Sequence, residues 1–286
     1  MASMRDIKRR RESIESTEQI TKAMKLVSTV KLQKARQKAE SARPYTNVLY
    51  DTVCEILRKT EGTSHPYLEE RTEGKTAVIL VSGNRGLCGG YNQNIIKKVT
   101  ELPDPKENLW IYAFGKKGIE GLRGKGYVIR KDLSEVVNEP LYKDAIAISE
   151  ELLKEFKEGK IARIYLAYTE FKNTVVHTPK LIQLLPVRHE ETEKDGRDTN
   201  ALPMNFEPND ETVLDSLVPQ YMTSLIYGAL LQSVASENGA RMTAMDAATD
   251  NAEEMIGKLA LQYNRARQGS ITQELTEIIA GRNAVQ

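Results

Sequence analysis

The stretch MTAMDAATDNAEEMIGKLALQYNRA, residues Met242–Ala266, carries the pattern from which the architecture of this chain follows. Its apolar and small side chains recur at alternating intervals of three and four residues, the period of a helix packed along one narrow seam. No proline follows Pro219, so we expect a helix over 210–286. A helix of this length does not bury its own seam and needs a partner. The seam comprises Met242, Met245, Thr249, Ala252, Ile256, Leu259, Tyr263 and Ala266.

The N-terminal part of the chain predicts that partner, a helix over 1–60. Residues 1–61 contain no glycine and one proline, Pro44, which we expect to bend or locally break the helix, because proline lacks an N–H donor and clashes one turn back. Because a globular segment lies between the two helices, the chain returns and they should pair as a long antiparallel coiled coil. The N-terminal seam comprises Ile7, Ile14, Thr17, Thr21, Met24, Ser28, Ala35 and Ala42.

Residues 75–187 predict a globular domain of alternating strands and helices. Thr76–Ser82 is a short continuous apolar run, typical of a buried parallel strand. Ile161–Phe171 and Thr174–Leu185 are separated by a short turn and predict an antiparallel hairpin at the sheet edge. The polar residues 188–209 predict a loop. The fold class is therefore a Rossmann-like α/β domain inserted between the N- and C-terminal helices of a long antiparallel α-helical coiled coil.

Composition excludes several classes of protein. Of 286 residues, 28% are charged and 6% aromatic, and the net charge is +1, which argues against a globally basic nucleic-acid coat protein. No run of 18 apolar residues exists, and no apolar stretch follows the basic start, so we expect neither a transmembrane helix nor a secretory signal. Cys54 and Cys88 are too few for a disulfide framework, which favours a reducing compartment.

No segment has the pattern of an active site. Gly83–Tyr91 (GNRGLCGGY) lies between a predicted strand and a helix, where a dinucleotide fingerprint would lie, but its glycines are not spaced as G-x-G-x-x-G. No Gly-Lys-Ser/Thr sequence of a phosphate loop is present, so a tight turn is the expected structure. Cys88 has no base nearby in sequence, so we expect a turn or buried cysteine and not a nucleophile. We expect no catalytic residue, no cofactor and no metal site, since no metal-ligand spacing involves His65, His177 or His189.

Positive charge is concentrated at the N-terminus. Residues 1–43 hold twelve Lys or Arg and five acidic residues, a local net charge of +7. Such a run is usually a solvated helix face, and the alternatives are contact with nucleic acid or insertion into an acidic protein cavity. No aromatic residue precedes Tyr45, which argues against nucleic acid.

Four stretches give the chain a resemblance to a known family along its whole length. The N-terminal stretch is IKRRRESIESTEQITKAMKLVSTVKLQKA, residues Ile7–Ala35, and the strand–helix junction is SGNRGLCGGYN, residues Ser82–Asn92. Near the C-terminus lie ENGARMTAMDAATDNA, residues Glu237–Ala252, and YNRARQGSITQELTEIIAG, residues Tyr263–Gly281. Together they resemble the gamma subunits of bacterial F-type ATP synthases.

The resemblance implies a non-catalytic rotor shaft. It implies that the coiled coil lies inside a ring of alternating alpha and beta subunits. The α/β domain would form a foot with the epsilon subunit and the membrane c-ring, on the cytoplasmic face of the cell membrane. Proton-driven rotation of the c-ring would then drive ATP synthesis. Separately from the resemblance, the missing phosphate-loop lysine and the glycine spacing predict no nucleotide binding by this chain, and the lack of aromatic residues before Tyr45 argues against nucleic acid. By resemblance, the ring contacts are Met24, Arg241, Gln268, Thr272 and Glu274, and the c-ring contacts are Phe206 and Glu207.

Two alternatives remain open from the residues alone. One is a coiled-coil clamp or chaperone with an α/β head, and the other is a degenerate nucleotide-binding module. Co-purification with nucleotide-binding subunits would distinguish the shaft from the clamp, and nucleotide titration of the isolated chain would test the module. In the shaft interpretation, the outer face of the coiled coil should lack apolar patches, because it slides past its partners.

Overall fold

A computed structural model describes residues 4–59, 65–71, 73–187 and 210–285. The chain forms two compact units. One contains the described residues up to Thr29 together with those from Arg241 onward, and the other is Val30–Ala240. The predicted loop 188–209, with Phe206 and Glu207, lies outside the described residues.

Each of the two long helices contributes residues to both units. Helix α1 is Met4–Lys59, and helix α5 is Asp210–Val285. Pro44 was expected to bend or locally break the first helix, and the break is not found, because α1 is continuous through the proline. The residues that follow explain this continuity: Leu49, Val53 and Ile56 are buried in the second unit and hold the helix beyond the proline.

Within the first unit, the start of α1 and the end of α5 run antiparallel. Thr21 on α1 contacts Thr249 on α5, while Arg11, ten residues earlier on α1, lies over the ring of Tyr263, fourteen residues later on α5. The predicted antiparallel coiled coil is therefore confirmed. The thin seam also has the predicted period, since the buried and half-buried positions on α5 include Met245, Thr249, Ala252, Ile256, Leu259 and Tyr263.

The second unit contains a five-stranded sheet with the order β3-β2-β1-β4-β5. The first four strands are parallel, and β5 pairs antiparallel with β4, which confirms the predicted hairpin. The strands are β1 (Lys75–Val81), β2 (Leu109–Phe114), β3 (Val128–Asp132), β4 (Ile161–Phe171) and β5 (His177–Leu185). The helices between them are α2 (Tyr91–Thr100), α3 (Lys116–Arg123) and α4 (Tyr142–Lys157).

Helices cover both faces of this sheet, as a run of consecutive buried residues in β1 requires. On one face, α2 and α3 contribute Ile95 and Leu122 to an apolar core with Val78 and Leu80 of the sheet. On the other face, α4 and the first part of α5 enclose a larger core, whose members include Ile79, Phe114, Ile148, Phe156, Met222 and Ile226. The sheet is thus the middle layer of three. Within the described ranges, no helix has the length and apolar content needed to cross a bilayer.

Candidate functional site

The seam of the coiled coil is polar at its centre. Thr21 and Thr249 are 8% and 5% exposed, and their hydroxyl oxygens lie 2.8 Å apart. Ser28, one heptad further along α1, is also buried. Small polar side chains let the two helices approach closely, and the hydrogen bond between the threonines fixes their register.

Ion pairs flank the threonine pair. Lys22 contacts Glu253 at 2.9 Å and Glu18 at 2.5 Å, and Lys25 contacts Asp246. Hydrogen bonding to Glu18, and then to Glu253, raises the pKa of Lys22. The hydrogen bond from Lys22 likewise lowers the pKa of Glu253. Lys22 and Lys25 of α1 therefore contact acidic groups of α5, so part of the basic run stabilises the coiled coil itself.

The structure places the five expected ring contacts at separate levels. Met24 is half-buried on α1. On α5, Arg241 is 9% exposed, whereas Gln268, Thr272 and Glu274 are exposed. Arg241 and Gln268 are 27 positions apart on one helix, which corresponds to about 40 Å at about 1.5 Å per residue. The α5 residues therefore form two groups, not one site. Within the C-terminal group, the Thr272 hydroxyl donates to the backbone oxygen of Gln268 at 2.9 Å.

The end of α5 carries an apolar stripe that the seam pattern did not reveal. Every residue from Ile271 to Asn283 is exposed. The spacing of four, three and one residues puts the large apolar side chains on one helix face, and this spacing is readable from sequence. The stripe comprises Ile271 (49% exposed), Leu275 (55%), Ile278 (67%) and Ile279 (59%).

The expectation that the outer face lacks apolar side chains is therefore wrong. On α1 as well, Ile20, Leu26 and Val27 are 57–68% exposed. Contiguous exposed apolar side chains are rare on monomers and mark surfaces that contact partners. The coiled coil therefore has polar residues at the centre of its seam and partly apolar outer faces.

The glycine-rich segment lies at the carboxyl edge of the sheet, where the strand order reverses at β1. In open α/β sheets this crevice is the usual ligand site. Here the chain itself satisfies the first three N–H groups of α3. The N–H of Lys116 donates to Asn84 Oδ1 at 3.0 Å, that of Lys117 to the Gly83 oxygen at 3.0 Å, and that of Gly118 to Ser82 Oγ at 2.9 Å.

Helix α5 occupies the same crevice. The Tyr91 hydroxyl donates to the backbone oxygen of Ser233 at 3.1 Å, and the backbone N–H of Thr169 on β4 donates to Ser233 Oγ at 3.3 Å. One turn later, Glu237 is 9% exposed, with its carboxylate against Gly83. An acidic side chain thus lies where a bound phosphate would need positive or neutral donors.

The remaining candidates for chemistry have structural roles. Cys88 is buried, and its sulfur accepts a hydrogen bond from Asn92 Nδ2 at 3.2 Å. The Nδ1 atom of buried His65 accepts from the backbone N–H of Tyr67 at 3.2 Å. The His177 ring packs against Phe171, with centroids 6.0 Å apart. Among the described residues, no cluster of three or more His, Cys, Asp or Glu side chains is arranged to hold a metal ion.

Comparisons with known proteins agree along the whole chain. The family model described as ATP synthase matches residues 3–285. An ATP synthase gamma chain of Lachnoclostridium phytofermentans is 59% identical over 290 residues, covering 100% of both chains.

Solved structures show the same fold. A chain of the Euglena gracilis mitochondrial ATP synthase, in an OSCP/F1/c-ring structure, has a TM-score of 0.67 at 19% identity and covers 99% of this chain and 94% of its own. A chain of the Tetrahymena thermophila mitochondrial ATP synthase, in a central stalk/c-ring structure, has a TM-score of 0.58 at 24% identity. The match covers 80% of this chain and 99% of the Tetrahymena chain.

Proposed function

Because the chain belongs to the family of ATP synthase gamma chains, we propose that it is the central-stalk rotor subunit of an F-type ATP synthase. In this role it couples rotation of the c-ring to ATP synthesis or hydrolysis by the alpha and beta subunits, and it performs no catalysis itself. The observation that carries the proposal is the full-length match at 59% identity. The match favours the rotor over the clamp and over the nucleotide-binding module.

The coiled coil supplies the two kinds of contact that a shaft needs. The apolar stripe at the end of α5, residues Ile271, Leu275, Ile278 and Ile279, gives a surface that a surrounding ring would cover. The polar residues Gln268, Thr272 and Glu274 beside it, and Arg241 about 40 Å away, give contacts that form and break with rotation angle. Each such polar contact would contribute about 1–3 kcal/mol, enough to bias a site and weak enough to release.

Alanine variants of the two levels test this arrangement. Arg241→Ala and Gln268→Ala should each lower steady-state ATPase activity of the complex assembled with alpha and beta subunits. Assembly should change less in both variants. Thermal stability should also change less in Gln268→Ala, because Gln268 is exposed, whereas Arg241 is 9% exposed and its truncation also removes packing within the chain. Gln262→Ala is the matched control, since Gln262 is an exposed glutamine on another face of α5. Normal assembly with wild-type turnover in both variants would contradict the proposed contacts.

The foot of the shaft is proposed to meet the c-ring and the epsilon subunit on the cytoplasmic face of the cell membrane. Phe206 and Glu207 carry the c-ring contact by resemblance. Glu207→Lys should weaken binding of the catalytic sector to vesicles that contain the membrane sector, without lowering ATPase activity in solution. Glu211→Lys, an exposed change of the same charge on α5, is the control. Equal sedimentation of both variants with the vesicles would contradict the assignment.

The isolated chain is proposed not to bind nucleotides. Two features support this: the N-terminus of α3 is capped by the chain, and Glu237 lies against Gly83 in the crevice. Calorimetric titration of the isolated chain with ATP, ADP and NAD should therefore give no binding heat. Binding at micromolar concentration would overturn this part of the proposal and leave the rotor function intact.

A further inference from the structure

The Glu237 carboxylate on α5 lies close against Gly83 in the β1–α2 loop, and we call this contact the lock. A Cβ atom added to Gly83 would lie 2.8 Å from Cδ of Glu237, and 2.9 and 3.1 Å from its two carboxylate oxygens. The first two distances are shorter than real Cβ contacts, so the end of the Glu237 side chain would have to move before any other residue type could occupy position 83. We call the space that the Glu237 carboxylate fills beside Gly83 the Gly83 notch.

A similar notch lies at Gly239 on α5, two residues after Glu237. A Cβ atom at Gly239 would lie 2.9 Å from Cε1 of His177 and 3.4 Å from Cε2 of Phe171, both in the β4–β5 hairpin. Strand β4 also binds α5, because the Ser236 hydroxyl donates to the backbone oxygen of Thr169 at 3.1 Å. Residues 233–239 of α5 are therefore contacted by the β1–α2 loop, by β4 and by the hairpin.

These contacts differ in kind from those of the preceding turns of α5. The preceding turns place Leu214, Val218, Met222, Ile226 and Leu230 in the large apolar core. Ser233, Ser236 and Glu237 instead contact the sheet and the β1–α2 loop through polar groups. A side chain inserted in a notch resists rotation of the helix about its own axis. The close contacts at 233–239 therefore attach α5 directly to the sheet and to the β1–α2 loop.

We infer that Glu237 is a positioning residue that transmits torque between the α/β unit and helix α5, by insertion into the Gly83 notch. This inference rests on the proposed rotor function. A shaft couples ion flow to catalysis only if α5 turns together with the unit that meets the membrane sector. Loss of the lock lets α5 slip, so ATP hydrolysis continues while fewer ions move per ATP.

The test uses the complete enzyme, with the membrane sector in vesicles, and measures ATP-driven ion uptake per ATP hydrolysed. Gly83→Ala should lower this ratio about twofold or more, because the new methyl group displaces the end of the Glu237 side chain. The backbone tolerates alanine there, since Gly83 is not among the positive-φ residues. Gly86→Ala is the matched control in the same loop, because a Cβ there meets nothing within 4 Å, and it should keep the wild-type ratio.

Two further variants separate a lock from a general structural role. Glu237→Ala should lower the ratio as Gly83→Ala does, and the double variant should be no worse than either single variant, because both remove the same contact. The inference is overturned if the single variants keep the wild-type ratio, or if uptake and hydrolysis fall in proportion through poor assembly. Additive effects would also overturn it. Failure of the wild-type chain to assemble into a pumping enzyme would instead refute the proposed function.

Discussion

The buried pair Thr21 and Thr249 offers a quantitative test of the polar seam. Each hydroxyl has one proton, yet the two take part in three close contacts: with each other at 2.8 Å, from Thr21 to the Glu18 oxygen at 2.9 Å, and from Thr249 to the Met245 oxygen at 2.8 Å. One proton therefore lies between the threonines, and the other bonds to a backbone oxygen. Valine has the shape of threonine and a similar helix propensity, so it removes only the hydroxyl.

The expected magnitudes follow from this proton count. Thr21→Val or Thr249→Val removes the bond between the helices, which contributes about 1 kcal/mol net. The remaining hydroxyl still donates to its own helix, so it is not left unsatisfied. The double variant loses both hydroxyls and hence both bonds, about 2 kcal/mol, but its two methyl groups pack against each other, which offsets up to about 0.8 kcal/mol each. In a single variant the new methyl group faces a hydroxyl and gains little, so we expect each single variant to destabilise the chain by about 1 kcal/mol. The double variant should lie within about 0.5 kcal/mol of wild type.

Urea denaturation of the full chain, followed by far-ultraviolet circular dichroism, measures these free energies. Thr17→Val is the control, because the Thr17 hydroxyl is exposed and bonds only to its own helix at Ser13, and it should change stability by less than about 0.5 kcal/mol. If the double variant costs the sum of the two single variants, the two side chains do not pack in contact and the reasoning is refuted.

Two other predictions concern charge. Burial lowers the pKa of His177 below the usual value of about 6.5, so the unfolded chain takes up more protons as pH falls through that value, and the free energy of unfolding should fall with it. His177→Gln should remove this part of the pH dependence in urea midpoints measured at about pH 7.5 and about pH 5.5, and an unchanged slope would contradict the assignment. The Lys22–Glu253 pair is about half exposed, at 51% and 54%, so Glu253→Gln should lower the melting temperature slightly at low salt and not at high salt. A lower melting temperature that persists at high salt would show that salt does not screen the pair and would contradict this prediction.

Much of the fold was readable from the sequence because hydrophobic period and element length agree. The predicted bounds of the strand Ile161–Phe171 match those of β4, since its apolar run leaves little choice of ends. The seam of α5 was readable for the same reason, because its three–four spacing persists for several heptads. The tight turn expected at Gly83–Tyr91 also fits the positive φ of Gly89.

What the sequence did not show depends on contacts between distant residues. Pro44 was expected to disturb α1, but burial of Val53 and Ile56 in the second unit outweighs the local cost of proline. The glycine at position 83 was assigned to turn geometry, whereas the structure relates it to Glu237, 154 positions away. Neither local propensity nor spacing contains that information, because it depends on where α5 crosses the sheet.

The coiled coil combines a partly polar seam with exposed apolar side chains on its outer faces, which a self-sufficient pair of helices does not need. Its buried seam carries Thr21 and Thr249, while Ile278 and Ile279 stay exposed at the end of α5. Burial of apolar surface contributes about 25 cal/mol per Å², so a partner that covers the end of α5 gains free energy that the chain does not use internally. The seam, by contrast, fixes register through directional hydrogen bonds. Pairing of the two helices and attachment to a surrounding partner are thus carried by different residues, and changes at the end of α5 should alter attachment without altering the pairing.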